Sequence, residues 1–319
     1  MAGGSWWRTG LVGMCGVALV LPAGLVAVRA TGADDGTVLA LPMVLLPYAA
    51  LGTLLLLGVL LALRSWWVAA VAGLLAVVQL CWLAPRFVAD GGSVAADAPR
   101  LRVATSNAYL GQADAAALVR LVREQRVDVL AVEELRTATA EAMDRAGIAD
   151  LLPHRSIDGD TALYSRLPLA PVDASAPAAA RAQLAAEVTV GGRQVRLTAV
   201  HTYYPLGDAR RWGEDFAGLR AAARGAPRTA VFLGDFNATL DHAPMRELLA
   251  TGLTDTHEEL GGGIRPTWPE DNADFPYLPP VIQIDHVLHG SALTAVSVSE
   301  HTVPGADHRA VVAELAVTG

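Results

Sequence analysis

The feature that most constrains the fold is the division of the chain into an apolar first part and a polar second part. Residues 1–98 carry only four arginines and four aspartates as charged side chains. Three apolar runs, approximately residues 9–28, 38–63 and 66–83, are about as long as the roughly 20 residues of a bilayer-spanning helix. They predict a three-helix transmembrane region over residues 1–88. Buried helices of a soluble domain are the alternative interpretation.

The arginines in this part predict its orientation. Arg8 and Arg64 fall on the side of the amino terminus, whereas Arg29 and Arg86 lie beyond the opposite side among acidic residues. The positive-inside rule then places the amino terminus in the cytoplasm and the second half of the chain outside. A cleaved signal peptide is disfavoured because two further apolar runs follow the first. All 24 basic residues are arginine, which is typical of GC-rich bacterial genomes, so we expect a multi-pass protein of a bacterial cell membrane.

The second half of the chain has the pattern of a layered α/β domain. Residues 89–99 are small and turn-forming, and they predict a flexible linker. Residues 100–319 alternate short β-type runs with helical stretches, and Gly191-Gly192 indicates a hairpin turn. Mixed strands with hairpins and helices favour packed α/β layers over one continuous parallel sheet. Because the first part has no net charge, the formal charge of −8 belongs to this half.

Polar side chains directly follow or lie beside the apolar runs of this half, where several strands are expected to converge. They are Asn107, Glu134, His201, Asp235, Asn237, Asp285, Asp307 and His308. Such oxygen-rich sets suit a hard cation such as Mg²⁺ or Mn²⁺, and no Cys/His spacing indicates structural zinc. Taken singly, Asn107 is typical of a turn, His201 of a buried core histidine and Glu134 of a helix cap.

The motifs that contain these residues resemble those of a known superfamily. SNAYL, VEEL, VHTYYP, GDFNAT, IDHVL and ADHRAV occur in the order found in the endonuclease/exonuclease/phosphatase superfamily, from about Arg102 to the C-terminus. The resemblance implies a four-layer α/β sandwich of two packed mixed β-sheets flanked by helices. The family commonly has glutamine where this chain has Glu133, and serine where it has Ala306.

The resemblance also implies a metal site. Glu134 would be the main metal-binding carboxylate, with Asn107 beside it in the same metal and phosphate site. Asp307 would complete the site.

The resemblance further implies how a phosphoester would be hydrolysed. Asp235 and Asn237 would contact the scissile phosphate and the attacking water or a metal. His201 would donate a hydrogen bond to the phosphoryl oxygens. His308, oriented by Asp285, would be the general base, or a phosphate-stabilising acid.

Four further features suggest how a substrate would be recognised. Arg211 could reach a second phosphate or belong to a solvated helix face. In GGGIRPTWP, Trp268 would line the site and Arg265 would meet an anionic group, unless Trp268 is plain core. Phe275–Ile282 is an apolar, proline-rich stretch that could meet lipid or be an ordinary buried loop.

Three functions are compatible with these patterns. The first is a lipid phosphohydrolase whose partners are the bilayer and a phosphorylated lipid, because the architecture resembles actinobacterial membrane proteins linked to teicoplanin resistance. That resemblance implies a polyprenyl pyrophosphate as substrate. The second is a surface-anchored nuclease, which the acidic charge disfavours. The third is a non-catalytic membrane binding or sensing module. No protein partner can be inferred.

Overall fold

The computed structural model describes residues 6–172, 183–271 and 275–318, so the first five residues of the expected anchor lie outside the described residues. The helices are α1 Trp6–Ala18, α2 Val20–Thr31, α3 Ala40–Met43, α4 Leu46–Ala62, α5 Trp66–Leu83, α6 Ala115–Gln125, α7 Thr137–Arg145, α8 Ile148–Leu151, α9 Pro205–Arg224, α10 Ala243–Leu249 and α11 Thr256–Glu259. The strands are β1 Arg100–Asn107, β2 Val129–Glu133, β3 His154–Asp158, β4 Thr161–Ser165, β5 Ala170–Pro171, β6 Gln183–Val190, β7 Arg193–His201, β8 Val231–Asp235, β9 Leu253–Asp255, β10 Asp285–Gly290, β11 Leu293–His301 and β12 Ala310–Val317.

Within residues 6–98, the described portion of the apolar first part, two helical segments could cross a membrane by length and composition, rather than the three expected. They are Trp6–Thr31, which joins α1 and α2, and Trp66–Phe87, which extends α5 by one 3₁₀ turn. The expected middle span, residues 38–63, is instead divided into the four-residue α3 and the 17-residue α4.

Proline explains the division of the middle run. Pro47 occupies the first turn of α4, where its missing N–H costs no helical hydrogen bond. In a continuous helix its ring would clash with the carbonyl of Met43, so the helix restarts at Leu46. At about 1.5 Å per residue, α4 is about 26 Å long, short of a hydrocarbon core about 30 Å thick.

The helical segments fold back on one another, so that the start of α1 lies beside the end of α4. The Arg8 side chain donates from Nε to the Leu63 carbonyl over 2.9 Å, at the turn between α4 and α5. The amino end of α1 therefore lies beside Arg64. The opposite ends of the helices lie against the remainder of the chain, as described below.

The second half is a sandwich of two six-stranded mixed sheets. One sheet has the order β11-β12-β1-β2-β4-β3, and the other has the order β5-β6-β7-β8-β10-β9. Apolar side chains such as Val103, Leu197 and Val231 fill the space between the sheets. Leu118 of α6 packs on the outer face of the first sheet, and Phe216 of α9 on that of the second. The expected sandwich of two mixed sheets flanked by helices is confirmed.

Each sheet has one parallel pair, and these pairs position the site. Strands β1 and β2 are parallel, as are β7 and β8, whereas β12 runs antiparallel to β1 and β10 antiparallel to β8. The carboxyl ends of the four parallel strands therefore meet the first residues of β10 and the segment before β12 at one edge of the sandwich.

Candidate active site

The polar residues expected at the strand ends converge at this edge. In the second sheet, Asp235 is paired in register with His201 on one side and with Asp285 on the other. Asn107 connects the two sheets, because its Nδ2 lies 3.1 Å from Asp235 Oδ2 and 3.3 Å from Glu134 Oε1. The site is thus built across the interface between the sheets.

Two of these residues have positive φ angles, which residues other than glycine adopt rarely. Glu134 has φ 54° and Asn237 has φ 48°. Such conformations cost of the order of 1 kcal/mol or more and often occur at functional sites. Glu134 Oε2 accepts a 2.7 Å hydrogen bond from the Leu110 N–H, and Asn237 Nδ2 donates to the Thr202 carbonyl over 3.1 Å. The conformations aim both side chains into the site.

His308 is held by Asp285 and surrounded by carboxylates. Its Nδ1 donates to Asp285 Oδ2 over 2.9 Å, and its Nε2 lies 3.8 Å from Asp235 Oδ2 and 3.9 Å from Asp307 Oδ1. Burial disfavours the charged ring, but Asp285 and Asp235 outweigh it and raise the pKa of His308 to about 10. These neighbours favour the protonated imidazole, and in that form Nε2 is a hydrogen-bond donor.

The site has more negative charge than its own side chains compensate. Burial, reinforced by Asp285 against the opposing effect of His308, raises the pKa of Asp235 to about 6. Among the described residues no arginine pairs with Glu134, Asp235 or Asp285, whose ionic partners are histidines. One ligand atom each from Asp235, Asp285 and His308 lie within 4.8 Å of one another. Carboxylate and amide oxygens in this setting fit a hard divalent cation.

The expected metal ligands occupy two flanks of this group. Glu134 and Asn107 lie on one flank, where His201 Nε2 is 3.7 Å from Glu134 Oε1. Asp307 lies on the other flank, where its Oδ2 accepts a 3.3 Å hydrogen bond from Trp268 Nε1. The structure brings all three near Asp235 or His308.

Glu133 stands where the resemblance implies glutamine, and its environment favours the neutral carboxyl group. It is fully buried, and burial raises its pKa well above the ordinary value, with Asp285 and Asp235 adding to the rise. Thr105 Oγ1 donates to Glu133 Oε1 over 2.8 Å. A protonated carboxyl group has the shape of a glutamine side chain and can donate one hydrogen bond. The raised pKa favours the uncharged carboxyl group at Glu133, which matches glutamine in shape.

The expected substrate-binding residues lie at different places. Trp268 reaches the site through Asp307 and packs edge-on against Phe275, with ring centroids 5.4 Å apart. Arg211 lies at the rim, with its guanidinium 4.2 Å from the ring centre of Tyr203, two residues after His201. Arg265 is exposed, and its Nε donates to the Gly262 carbonyl over 2.9 Å.

Sequence reasoning missed the contact between the apolar helices and this edge of the sandwich. Asp241, six residues after Asp235, is buried between Arg29 of α2 and Arg86, at 3.2 Å and 2.7 Å. His242 Nε2 hydrogen-bonds the Ala40 carbonyl over 3.0 Å. Partners 212 and 155 residues away leave no local signal in the sequence.

Comparisons with known proteins agree with this fold. Residues 104–308 match the sequence model of the Endonuclease/Exonuclease/phosphatase family. The structure is similar to D. rerio TDP2 in complex with a single-strand DNA product, with 19% identity, TM-score 0.54, and coverage of 68% of this chain and 98% of that chain. It is also similar to an endonuclease/exonuclease/phosphatase from Beutenbergia cavernae, with 20% identity, TM-score 0.54, and coverage of 69% and 72%. These similarities concern the fold. No curated protein matches the sequence.

Proposed function

The chain belongs to the endonuclease/exonuclease/phosphatase family, whose members are metal-dependent phosphoesterases and nucleases, and we propose that it hydrolyses a phosphoester. We propose that it is a membrane-anchored phosphoesterase that hydrolyses a phosphate or pyrophosphate head group of a lipid, such as a polyprenyl pyrophosphate. Its cofactor is Mg²⁺ or Mn²⁺.

One contact carries the choice of a lipid substrate. Tyr48 Oη, near the start of α4, donates a 2.6 Å hydrogen bond to the Val281 carbonyl. Val281 belongs to the apolar loop 275–282, which ends three residues before Asp285. In this loop Tyr277 is 97% exposed, and Phe275 and Leu278 are each 43% exposed. An exposed apolar loop joined to an apolar helix beside the site supports a substrate presented by the bilayer.

The geometry gives each side chain a place in the reaction. Protonated His308, oriented by Asp285, donates a hydrogen bond to a phosphoryl oxygen or to the leaving group. His201 donates to a second phosphoryl oxygen as negative charge accumulates in the transition state. Asp235 and Asn237 orient the attacking water in line with the scissile bond, and the Asp235 carboxylate accepts the proton that the water loses.

Glu134, Asn107 and Asp235 would hold the divalent cation, and Asp307 would complete the metal site from the opposite flank. When bound, the cation supplies neutralisation of the phosphate charge and polarises the phosphorus–oxygen bond. Glu133 lies buried behind this group, and its raised pKa limits the negative charge that it adds.

We further propose that the chain is a multi-pass protein of a bacterial cell membrane with the sandwich on the extracytoplasmic side, which requires the 17-residue α4 to cross the bilayer together with the two longer helical segments. The pairing of Arg8 with the α4–α5 turn supports this orientation, since it places Arg8 and Arg64 at the same end of the helices. The contacts of Asp241 and Val281 with the helices put the sandwich at the opposite end. A reporter fused at the C-terminus and active only outside the cytoplasm is the expected result. Activity in the cytoplasm would contradict it.

The activity is tested with the purified full chain in lipid vesicles containing Mg²⁺ or Mn²⁺. The substrates are polyprenyl pyrophosphate, polyprenyl monophosphate, single-stranded DNA and duplex DNA. We expect phosphate release from a polyprenyl substrate, abolished by chelation, by Glu134→Ala and by His308→Ala. The matched controls Glu141→Ala and His154→Ala change residues outside the site and should be fully active.

The other outcomes identify the other two functions. Cleavage of DNA without release of lipid phosphate would make the protein a surface-anchored nuclease. Absence of metal-dependent hydrolysis on every substrate would favour a non-catalytic membrane module.

A further inference from the structure

The surface of the apolar helices contains a groove that the reaction described above does not use. Its volume is about 500 Å³, within the range of small-molecule sites. One wall comes from the junction of α1 and α2, including Ala18, Leu21 and Pro22, and the other from the first half of α4. The nine residues that line it are apolar apart from the hydroxyl group of Tyr48.

The length of the groove corresponds to one half of a bilayer. On the α4 side its lining extends from Leu45 to Leu56. Eleven residues of helix rise about 16 Å. Half of a hydrocarbon core about 30 Å thick is about 15 Å, which is the depth that a lipid chain occupies in its own leaflet. Leu45, which directly precedes α4, lies at the end of the groove nearest the sandwich.

Tyr48 connects the groove to the candidate active site. It lines the groove, and its hydroxyl group holds the Val281 carbonyl in the loop before Asp285. It also lines a second, narrow cavity together with Thr239 and Asp241, which belong to the segment that follows Asp235 and Asn237. Tyr48 therefore lies between the groove and the loop before Asp285, and the narrow cavity beside it is also lined by the paired side chains of Arg86 and Asp241.

We infer that this groove binds the hydrocarbon tail of the lipid phosphate whose head group is hydrolysed at the site. The inference rests on the proposed function and extends it, because it names the substrate as a phosphate or pyrophosphate ester with a long hydrocarbon chain. Recognition then has two parts, a polar head at the edge of the sandwich and an apolar tail between α4 and the α1–α2 junction.

Gly52 provides a substitution that fills the groove without disturbing the helices. It lines the groove, and a Cβ added there meets no atom within 4 Å. Gly58 is the matched control, because it lies on the same helix outside the groove and is equally open. Leucine at either position also favours the helix relative to glycine.

The kinetic test compares Gly52→Leu with Gly58→Leu on a long-chain polyprenyl pyrophosphate and on a short-chain, water-soluble alkyl pyrophosphate. For Gly52→Leu we expect about a tenfold rise in KM on the long-chain substrate with little change in kcat, since filling the groove displaces several methylene groups. The short-chain substrate should be hydrolysed equally by both variants and by the parent. Equal KM values of the two variants on the long chain would overturn the inference.

A binding test is independent of hydrolysis. An alkyl pyrophosphate with a diazirine in mid-chain is irradiated with the full chain in phosphatidylglycerol vesicles, and the labelled peptides are identified by mass spectrometry. We expect labelling of residues 45–56, reduced in Gly52→Leu and unchanged in Gly58→Leu. Equal labelling by a neutral diazirine lipid without phosphate would show that bulk lipid fills the groove, and would overturn the inference whether or not the protein is an active phosphoesterase.

Discussion

Asp235 and Asp241 are buried aspartates six residues apart, and their surroundings are opposite. Asp235 is surrounded by histidines, amides and other carboxylates, and burial raises its pKa to about 6. For Asp241, burial would raise the pKa too, but Arg86 and then Arg29 outweigh it and hold the pKa below its ordinary value. Two arginines surround the Asp241 carboxylate, whereas Asp235 has only histidines against the negative charge of its neighbouring carboxylates.

This is the difference expected between a structural carboxylate and a reactive one. The Arg29–Asp241–Arg86 cluster joins the apolar helices to the sandwich and needs nothing further. The excess negative charge at Asp235 is costly unless a cation or a substrate proton relieves it, which is typical of functional sites. Neutralising each aspartate should therefore have opposite consequences for activity and stability.

The largest expected effect is on activity. Asp235→Asn should lower kcat by about a thousandfold, because the amide cannot replace the carboxylate beside the cation and water. Thermal unfolding in detergent should occur at the parent's temperature or slightly above it, since a repulsive charge near Asp285 is removed. A variant with parental kcat would show that Asp235 is another structural aspartate.

The next effect is on stability. Asp241→Asn should lower the free energy of unfolding by about 3 kcal/mol, because it leaves two buried guanidinium groups without a carboxylate. Chemical denaturation in detergent measures the loss, with Asp158→Asn on the exposed end of β3 as the control. The folded fraction should still hydrolyse substrate. An unchanged stability would remove the distinction between the two aspartates.

The pH dependence of the free energy of unfolding should further distinguish Asp241 from Asp235. Its pKa is lower in the folded chain than the unfolded value of about 3.9, so its stabilising contribution is present above about pH 4. The contribution is lost as the pH falls through the folded value. On acidification the free energy of unfolding should therefore fall further for the parent than for Asp241→Asn. The extra fall cannot exceed the difference in free energy of unfolding between the two proteins at pH 7. Parallel stability curves for the two proteins would argue against the lowered pKa.

The smallest effect concerns the contact between α4 and the apolar loop. Tyr48→Phe keeps the ring in place and removes one hydrogen bond, worth about 1 kcal/mol. We expect about a fivefold rise in KM for a lipid substrate. Tyr277→Phe, a change in the same loop at an exposed hydroxyl group, is the control and should leave KM unchanged. Equal KM values for Tyr48→Phe and the parent would show that this contact of the loop has no part in substrate recognition.

Local patterns predicted most of the sandwich. The apolar spacing of Asp114–Gln125 predicts an amphipathic helix, and α6 begins one residue later with Asp114 as its N-cap. The sequence gives no clear pattern for β11, because its second half is polar and only partly buried, or for α7, because it carries alanine and threonine in place of large apolar residues. In the first part, hydropathy alone could not show that Pro47 divides the middle run.

The candidate site was predictable for a different reason. Its residues follow strands whose ends must meet once the two parallel pairs form, so position along each strand was informative. The flexible linker expected at residues 89–99 stays a prediction, but it is not the sole link between the two parts of the chain. The contacts of Arg29 and Tyr48 with the sandwich depend on tertiary packing, which no local pattern encodes.

Direct measurement of metal binding tests the central claim that Asp235 lies in an uncompensated cation site and Asp241 does not. Titration of the full chain with Mn²⁺, followed by electron paramagnetic resonance, should show binding that Mg²⁺ displaces. Asp235→Asn should weaken the affinity at least about tenfold, and Asp241→Asn, in its folded fraction, should bind as the parent does. Equal Mn²⁺ affinity in the parent and Asp235→Asn would contradict the account.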